Sequence, residues 1–229
     1  MDGKKYADEI AFFSEYVSKH KKELFRHILE YRTRFFTVVL EDIYQAQNTS
    51  AVLRSCDGFG IQNVYVIENK NRFDIDRGVT IGADKWLTVH RFNKPNSHNT
   101  DAAYRHLRDK GYRIVATTPH VKQICLSDFL PESPTALVFG SEKAGLSNFA
   151  VDEADERLFI PMHGLSESFN ISVCVAICLY HIRQIMDKSG LPWQIPDDQK
   201  DIIYLDWLRK SVRHLKALDR KFKELQQDS

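Results

Sequence analysis

The feature that most constrains the fold is an alternation of short apolar runs with helical segments between residues 35 and 182. The run 35–40 (FFTVVL) is apolar apart from Thr37, as a strand buried on both faces requires. Further strands are predicted at residues 63–67, 87–92, 112–117, 135–139 and 157–160, and helices at 48–60, 99–110 and 170–182. This repeated order predicts an α/β fold with a mainly parallel sheet and helices on both faces.

A polar turn before an apolar helix, in the segment 159–180, predicts a ligand site. Pro161 has no N–H for a strand ladder, and Gly164 permits a positive φ or the close approach of a ligand. We predict that Ser166 or Ser168 caps the helix, whose N-terminus can meet a polar ligand. The helix itself is predicted to be a buried core element.

The loops that follow three predicted strands are the candidate walls of a site. In parallel sheets ligands bind at the carboxyl ends of strands, which indicates the loops after Thr117, after Gly140 and after Met162. Familiar nucleotide motifs are absent, because residues 58–63 lack the third glycine of a dinucleotide fingerprint and no phosphate-binding GxxxxGK[ST] occurs. A nucleotide-like cofactor would therefore need another architecture.

Composition narrows the class of protein. With 229 residues and 43% apolar side chains, the chain can fill one sizeable core. It contains no apolar run of about 18 residues and no secretory signal pattern, so we expect a cytoplasmic protein without a membrane segment. The four cysteines lack metal-ligand or redox-motif spacing and are predicted to be reduced core residues, with no metal site: Cys56, Cys125, Cys174 and Cys178.

Both ends of the chain are rich in positive charge, although the formal net charge is only +1. Residues 19–34 contain six Lys or Arg and two Glu, and residues 209–223 contain seven Lys or Arg and one Asp. Basic segments are often only solvated faces, but two that flank a neutral middle favour a polyanionic partner. The Pro/Gly segment 189–198 is predicted to detach a last helix from the core.

Three segments in order carry a family resemblance. They are 48–60 (NTSAVLRSCDGFG), 137–147 (LVFGSEKAGLS) and 160–172 (IPMHGLSESFNIS). Together they resemble the motifs of the SpoU (TrmH) branch of the SPOUT RNA 2′-O-methyltransferases, over about residues 30–185. The basic ends and residues 204–210 are similar to the flanking helices of the tRNA guanosine-18 subgroup. Two departures are the non-basic segment 44–47 before the first motif, and Phe169 in place of a usual Leu.

The resemblance implies an S-adenosylmethionine (SAM)-dependent enzyme that methylates a ribose 2′-hydroxyl, at guanosine 18 of the tRNA D-loop. It also implies a C-terminal deep trefoil knot and a homodimer. The predicted organisation is a basic helical extension (1–30), a methyltransferase domain (31–188), and a linker with a basic helix (189–229). Ribosomal RNA as substrate and a catalytically silent RNA-binding protein are the alternatives, together with a hydrolase that uses Ser166 or Ser168.

Position in the motifs assigns the site residues. The resemblance implies a cofactor pocket made by Thr117, Gly140, Ile160, Met162 and Phe169. It implies a catalytic group made by Arg54, Asn48, Glu142, Ser168 and Asn170.

Two of these residues also have purely structural interpretations. Asn48 would serve simply as a helix N-cap, and Arg54 would form a surface or interface ion pair. As a catalytic residue, arginine is a difficult general base, because neutralising a side chain of pKa roughly 12.5 to 13.8 at pH 7 costs about 7.5 to 9 kcal/mol. We therefore expect Arg54 to bind RNA phosphate and to stabilise charge on the ribose oxygen.

Overall fold

The structure is a computed structural model that describes the backbone of residues 2–227 and the side chains of residues 6–227. The chain forms two compact units. The central unit is Thr33–Trp193, and the terminal unit combines the described residues before and after it. The predicted three-part organisation begins at residue 1 and ends at residue 229, which lie outside the described residues. Its functional boundaries stay predictions.

The central unit contains a seven-stranded sheet in which every pairing is parallel. Its strands are β1 (Phe36–Glu41), β2 (Asn63–Ile67), β3 (Thr88–Phe92), β4 (Arg113–Thr117), β5 (Ile124–Cys125), β6 (Thr135–Phe139) and β7 (Glu156–Phe159). Their order across the sheet is β3-β2-β1-β6-β4-β7-β5. The predicted parallel sheet is confirmed. Only β5 was not predicted, because two residues are too short to show a pattern.

The helices, in chain order, are α1 (Asp2–Ser14), α2 (Lys19–Leu29), α3 (Ala46–Gly58), α4 (Arg77–Thr80), α5 (Asn99–Asp109), α6 (Asn148–Asp152), α7 (Ile171–Lys188), α8 (Asp197–Ser211) and α9 (Leu215–Gln227). Short 3₁₀ turns span Ala83–Lys85 and Leu126–Asp128. Gly111 follows α5 with φ +79°, the left-handed conformation that ends a helix and that glycine adopts without strain.

Alternate residues of each strand pack on opposite faces of the sheet. On β1, Val38 and Leu40 belong to the apolar cluster that includes residues of α3 and α7, whereas Val39 belongs to the cluster that includes residues of α5 and α6. All six residues of β1 are buried. The predicted helices on both faces are therefore confirmed. Burial on both faces explains why β1 is mostly apolar, and its two polar residues, Thr37 and Glu41, are hydrogen-bonded.

The terminal unit is helical. Trp207 on α8 is buried and contacts Phe25 of α2, with the ring centroids 5.3 Å apart, and the Arg32 guanidinium lies 5.1 Å from the Trp207 ring centroid. The prediction of a single last helix after the linker is wrong. Two helices, α8 and α9, follow the linker and are separated by a turn at His214, where φ is +58°. Among the described residues, no helix is both long enough and apolar enough to cross a membrane.

Candidate cofactor and catalytic site

A cavity of about 260 Å³ lies at the carboxyl ends of the adjacent strands β6, β4 and β7. Its volume is just under the roughly 300–1,000 Å³ that is usual for small-ligand pockets. All five residues predicted for the cofactor line it: Thr117, Gly140, Ile160, Met162 and Phe169. The three loops named from the sequence thus converge on one cavity, as the parallel order of their strands requires.

The loop after β6 closes on itself beside the cavity. Ser141 and Gly145 exchange two backbone hydrogen bonds, of 3.1 and 2.9 Å. A Cβ on Gly140 would lie 2.1 Å from the carbonyl carbon of Gly145, so no other residue fits there without moving the backbone. Gly145 has φ +66°. Both glycines are needed for the loop itself, whatever it binds.

The Thr117 hydroxyl is engaged as a donor at the cavity rim. Thr117 Oγ1 donates a 2.7 Å hydrogen bond to the carbonyl oxygen of Val138, which joins β4 to β6 at the cavity rim. The apolar wall consists of the half-buried Ile160 and Met162 and of Phe169, whose side chain is 39% exposed. The cavity therefore combines backbone polar groups with an apolar side, as a heterocyclic base requires.

Several cavity residues were not predicted as site residues. Cys174 and Cys178, one turn apart on α7, line the cavity, and Cys178 is fully buried. A hydrogen bond between the two thiols lowers the pKa of Cys174 and, together with burial, raises the pKa of Cys178 well above its usual value. The remaining polar lining includes Thr118, His120, Lys143 and Glu167. Their position within the three loops was the available signal.

The Asn48 side chain joins the three sequence motifs. Its Nδ2 donates to Glu142 Oε1, and its Oδ1 accepts a 3.1 Å hydrogen bond from Asn170 Nδ2. Nδ2 also lies 3.1 Å from Gln45 Oε1. Glu142 lines the cavity, so this junction stands at its edge. We call Asn48, Glu142 and Asn170 the asparagine junction.

Two helix-cap predictions are wrong. Helix α3 begins at Ala46, which places Asn48 inside its first turn and leaves its side chain free to bridge the other motifs. Helix α7 is capped by Asn170, whose Oδ1 accepts from the Ser172 N–H at 2.9 Å. Ser168 instead lines the cavity. Because α7 starts one residue after Asn170, neither predicted serine can be its cap.

Arg54 lies outside the cavity lining, exposed in the third turn of α3. Among the described residues its side chain makes no hydrogen bond or ion pair, so the ion-pair interpretation finds no partner there. Ser166 and Ser168 likewise have no hydrogen bond to a histidine within residues 6–227. In the same range no group of three metal-ligating side chains occurs.

Comparison with known proteins adds a family. The profile described as the SpoU rRNA methylase family matches residues 36–180. The tRNA (guanosine(18)-2′-O)-methyltransferase of Borreliella burgdorferi is 33% identical over 210 residues, covering 92% of this chain and 94% of that protein. The structure of the A. aeolicus TrmH/SpoU tRNA modifying enzyme matches with TM-score 0.75 and 26% identity, covering 85% and 98% of the two chains.

A further solved structure contains a cofactor. The SpoU methyltransferase AviRb of Streptomyces viridochromogenes, in complex with AdoMet, matches with TM-score 0.59 and 25% identity. The match covers 69% of this chain and 63% of that chain.

Proposed function

Because this chain belongs to the SpoU rRNA methylase family, we propose that it transfers a methyl group from SAM to a ribose 2′-hydroxyl of tRNA, at guanosine 18. The observation that carries the proposal is the asparagine junction. It joins residues from three motifs, 94 and 122 positions apart, at the edge of a cavity lined by the predicted cofactor residues.

The residues of the cavity fit SAM. Backbone groups of the loops after Thr117 and Gly140 can hydrogen-bond the edges of an adenine ring, while Ile160, Met162 and Phe169 cover its faces. The carboxylate of Glu167 also lines the cavity and can accept from hydroxyl or ammonium groups. When bound, SAM supplies a methyl group on a sulfonium that is already activated for transfer.

The protein's own residues then hold the ribose in line and stabilise charge. Arg54 binds the RNA phosphate and offsets negative charge that develops on the 2′-oxygen, and the phosphate or water assists loss of the proton. The asparagine junction holds Glu142 and Asn170 at the cavity edge, and Ser168 offers a hydroxyl from the cavity wall. In-line placement supplies most of the remaining rate enhancement.

A homodimer with a C-terminal trefoil knot in the cytoplasm completes the proposal. Helix α7 leaves Val173 44% exposed and Tyr180 58% exposed, although it is the most apolar helix of the central unit. A second copy would cover these side chains. In a dimer Arg54 can face the cofactor cavity of the second copy, since Arg54 does not line the cavity of its own chain. Light scattering at micromolar concentration should give twice the chain mass of 26.6 kDa.

The basic terminal helices provide a backbone contact for tRNA. Lys216, Arg220 and Lys223 are exposed on α9. Replacing all three by Gln should weaken tRNA binding and flatten its salt dependence by roughly 0.7 to 0.9 log units per lost phosphate contact for each tenfold change in salt. Affinity for SAM, measured by calorimetry, should not change. Unchanged tRNA affinity would remove α9 from the interface.

The decisive experiment is methylation of unmodified tRNA by the purified protein with labelled SAM, followed by mapping of the modified ribose. We expect one 2′-O-methyl group, at guanosine 18. Ribosomal RNA is a second candidate, because the family description names it. A modified ribose found only in ribosomal RNA would favour that candidate. Binding of SAM and RNA without any transfer would indicate the catalytically silent alternative.

A further inference from the structure

A second concave region of the central unit, separate from the cofactor cavity, is an open groove of about 560 Å³. Its lining combines guanidinium, carboxylate and apolar groups: Arg72, Arg77, Arg91, Asp74, Asp84, Phe73 and Ile75. We call it the arginine groove. Phe73 and Ile75 also pack against the core cluster of the α3 side, so the apolar floor is anchored.

The three arginines of the groove differ in their availability. Arg91 is committed, because its Nε and Nη2 each donate a 2.8 Å hydrogen bond to the Glu68 carboxylate and its guanidinium lies 5.3 Å from the Phe73 ring centroid. Although burial alone would raise it, the pKa of Glu68 is lowered by hydrogen bonds from Arg91 and from the Phe73 N–H. The side chains of Arg72 and Arg77 are exposed and form no hydrogen bond or ion pair among the described residues, although the charge of Arg72 also lowers the pKa of Glu68. Two cations are therefore open to a ligand.

The loop that carries the groove is held in place before any ligand arrives. Asp42 Oδ1 accepts the backbone N–H groups of Asn69, Lys70 and Asn71 at 2.7, 2.8 and 3.2 Å. Glu68 Oε2 accepts the N–H of Phe73 at 2.8 Å. Such preorganisation lowers the entropy cost of binding.

Backbone strain accompanies this arrangement. Asp42, beneath the loop, has φ +52°, and Ile81, which follows α4, has φ +49°. A β-branched residue rarely adopts a positive φ, and strain of this kind persists where the surrounding structure imposes it.

The groove is tied to the helix that bears Arg54. The Asp76 N–H donates a 2.8 Å hydrogen bond to Ser50 Oγ on α3. Ser50 and Arg54 are four residues apart, so they lie on the same helix face, separated by one turn of about 5.4 Å. Arg77, which lines the groove, directly follows Asp76 at the start of α4. The segment that lines the groove is therefore anchored to the helix that bears Arg54.

We propose that the arginine groove binds the nucleotide next to the methylated ribose in the RNA strand. Arg72 and Arg77 bind its phosphate, the base lies over the apolar floor, and Asp74 or Asp84 accepts N–H groups from the base edge. This chemistry suits RNA better than an acidic peptide, because a base supplies both a flat apolar face and N–H donors. The inference rests on the proposed RNA methylation, and it adds a second nucleotide site to the cofactor cavity.

The first test compares Arg72→Gln/Arg77→Gln with Arg105→Gln. Arg105 is equally charged and 70% exposed, but lies on α5, on the opposite face of the sheet. We expect the double variant to bind tRNA about tenfold more weakly, and to change KM more than kcat. The slope of log affinity against log salt concentration should become shallower by about 1.4 to 1.8. Calorimetry should give wild-type SAM affinity for both proteins. Equal tRNA affinity and salt slope in the double variant and the control would overturn the proposal.

A second test locates the nucleotide. A photo-crosslinking benzoylphenylalanine placed at position 74 should attach to the RNA within about two nucleotides of the methylated ribose, whereas the same group at position 105 should not. Attachment at a distant nucleotide would overturn the neighbouring-nucleotide assignment. Inhibition by guanosine 5′-monophosphate that the double variant relieves would assign the groove to a free nucleotide instead. If the wild-type protein methylates no RNA, the proposed function itself is wrong. That result is distinct from the outcomes that test the groove.

Discussion

The two faces of the sheet differ in chemistry. The face covered by α3 and α7 is packed almost entirely with aliphatic and aromatic side chains; α3 carries Asn48 and Arg54, and Asn170 caps α7. The face covered by α5 contains titratable rings instead. The Tyr65 and His90 ring centroids are 4.5 Å apart, and His106 lies 5.8 Å from Tyr65. We infer that substitutions on the first face change catalysis, whereas those on the second change only stability.

The largest effect is expected from Arg54 on α3. Arg54→Ala should slow single-turnover tRNA methylation by about 10²–10³-fold, the cost of a lost donor to a developing oxyanion, or roughly 2.7 to 4 kcal/mol. Arg54→Lys should restore part of the rate at every pH from 6 to 10, because it keeps the charge and loses the bidentate fork. A Lys variant that overtakes the wild type above pH 9 would instead identify residue 54 as the general base.

The asparagine junction should give the next largest effect. Asn48→Ala removes a hydrogen bond to the Glu142 carboxylate, and such bonds contribute about 1.5 to 3 kcal/mol. We expect a roughly 10- to 100-fold slower methylation rate at saturating tRNA and SAM. Gln47→Ala, at the exposed neighbouring position, is the matched control. Equal rates for the two variants would show that the junction only braces the loops.

On the opposite face, Tyr104 tests stability without catalysis. Its hydroxyl donates a 2.9 Å hydrogen bond to the buried Ala150 carbonyl, and burial raises the pKa of Tyr104. Tyr104→Phe leaves that oxygen unpaired and should lower the free energy of unfolding in urea by about 1 to 2 kcal/mol. Methylation by the folded enzyme should keep its wild-type rate. A catalytic defect here would break the distinction between the faces.

The smallest effect concerns pH. Burial, followed by the charges of His106 and Lys110, lowers the pKa of His90, and burial followed by Lys110 lowers that of His106. The unfolded chain therefore takes up protons first, and stability is lost as pH falls below about 6.5 toward the lowered values. Because both rings are partly exposed, we expect less than about 1 kcal/mol after solvent screening. His90→Phe should reduce the difference in urea midpoint between pH 7.5 and 5.5.

The amino-acid sequence by itself determined the elements and their class. The predicted strand bounds 63–67 and 135–139 match β2 and β6, because a short strand that is buried on both faces is mostly apolar, and both strands are apolar after their first residue. The order of strands and helices predicted the parallel sheet, and the carboxyl-end rule predicted which loops form the cavity. The three motifs predicted the family, which is confirmed. Each of these predictions depends on the pattern of a few neighbouring residues or on the order of segments along the chain.

Only the tertiary structure decided which polar groups meet. Asn48, Ser166, Ser168 and Asn170 are all suitable caps by residue type, but the Asn48 side chain instead binds Glu142 and Asn170, which lie 94 and 122 residues away. The arginine groove likewise needs Asp42, Ser50 and residues 68–84 to assemble around one loop. The hydrophobic pattern of a segment predicts which of its residues are buried, because burial follows the period of a strand or helix. Partners of a polar side chain are set by the packing of distant segments, which no local period records.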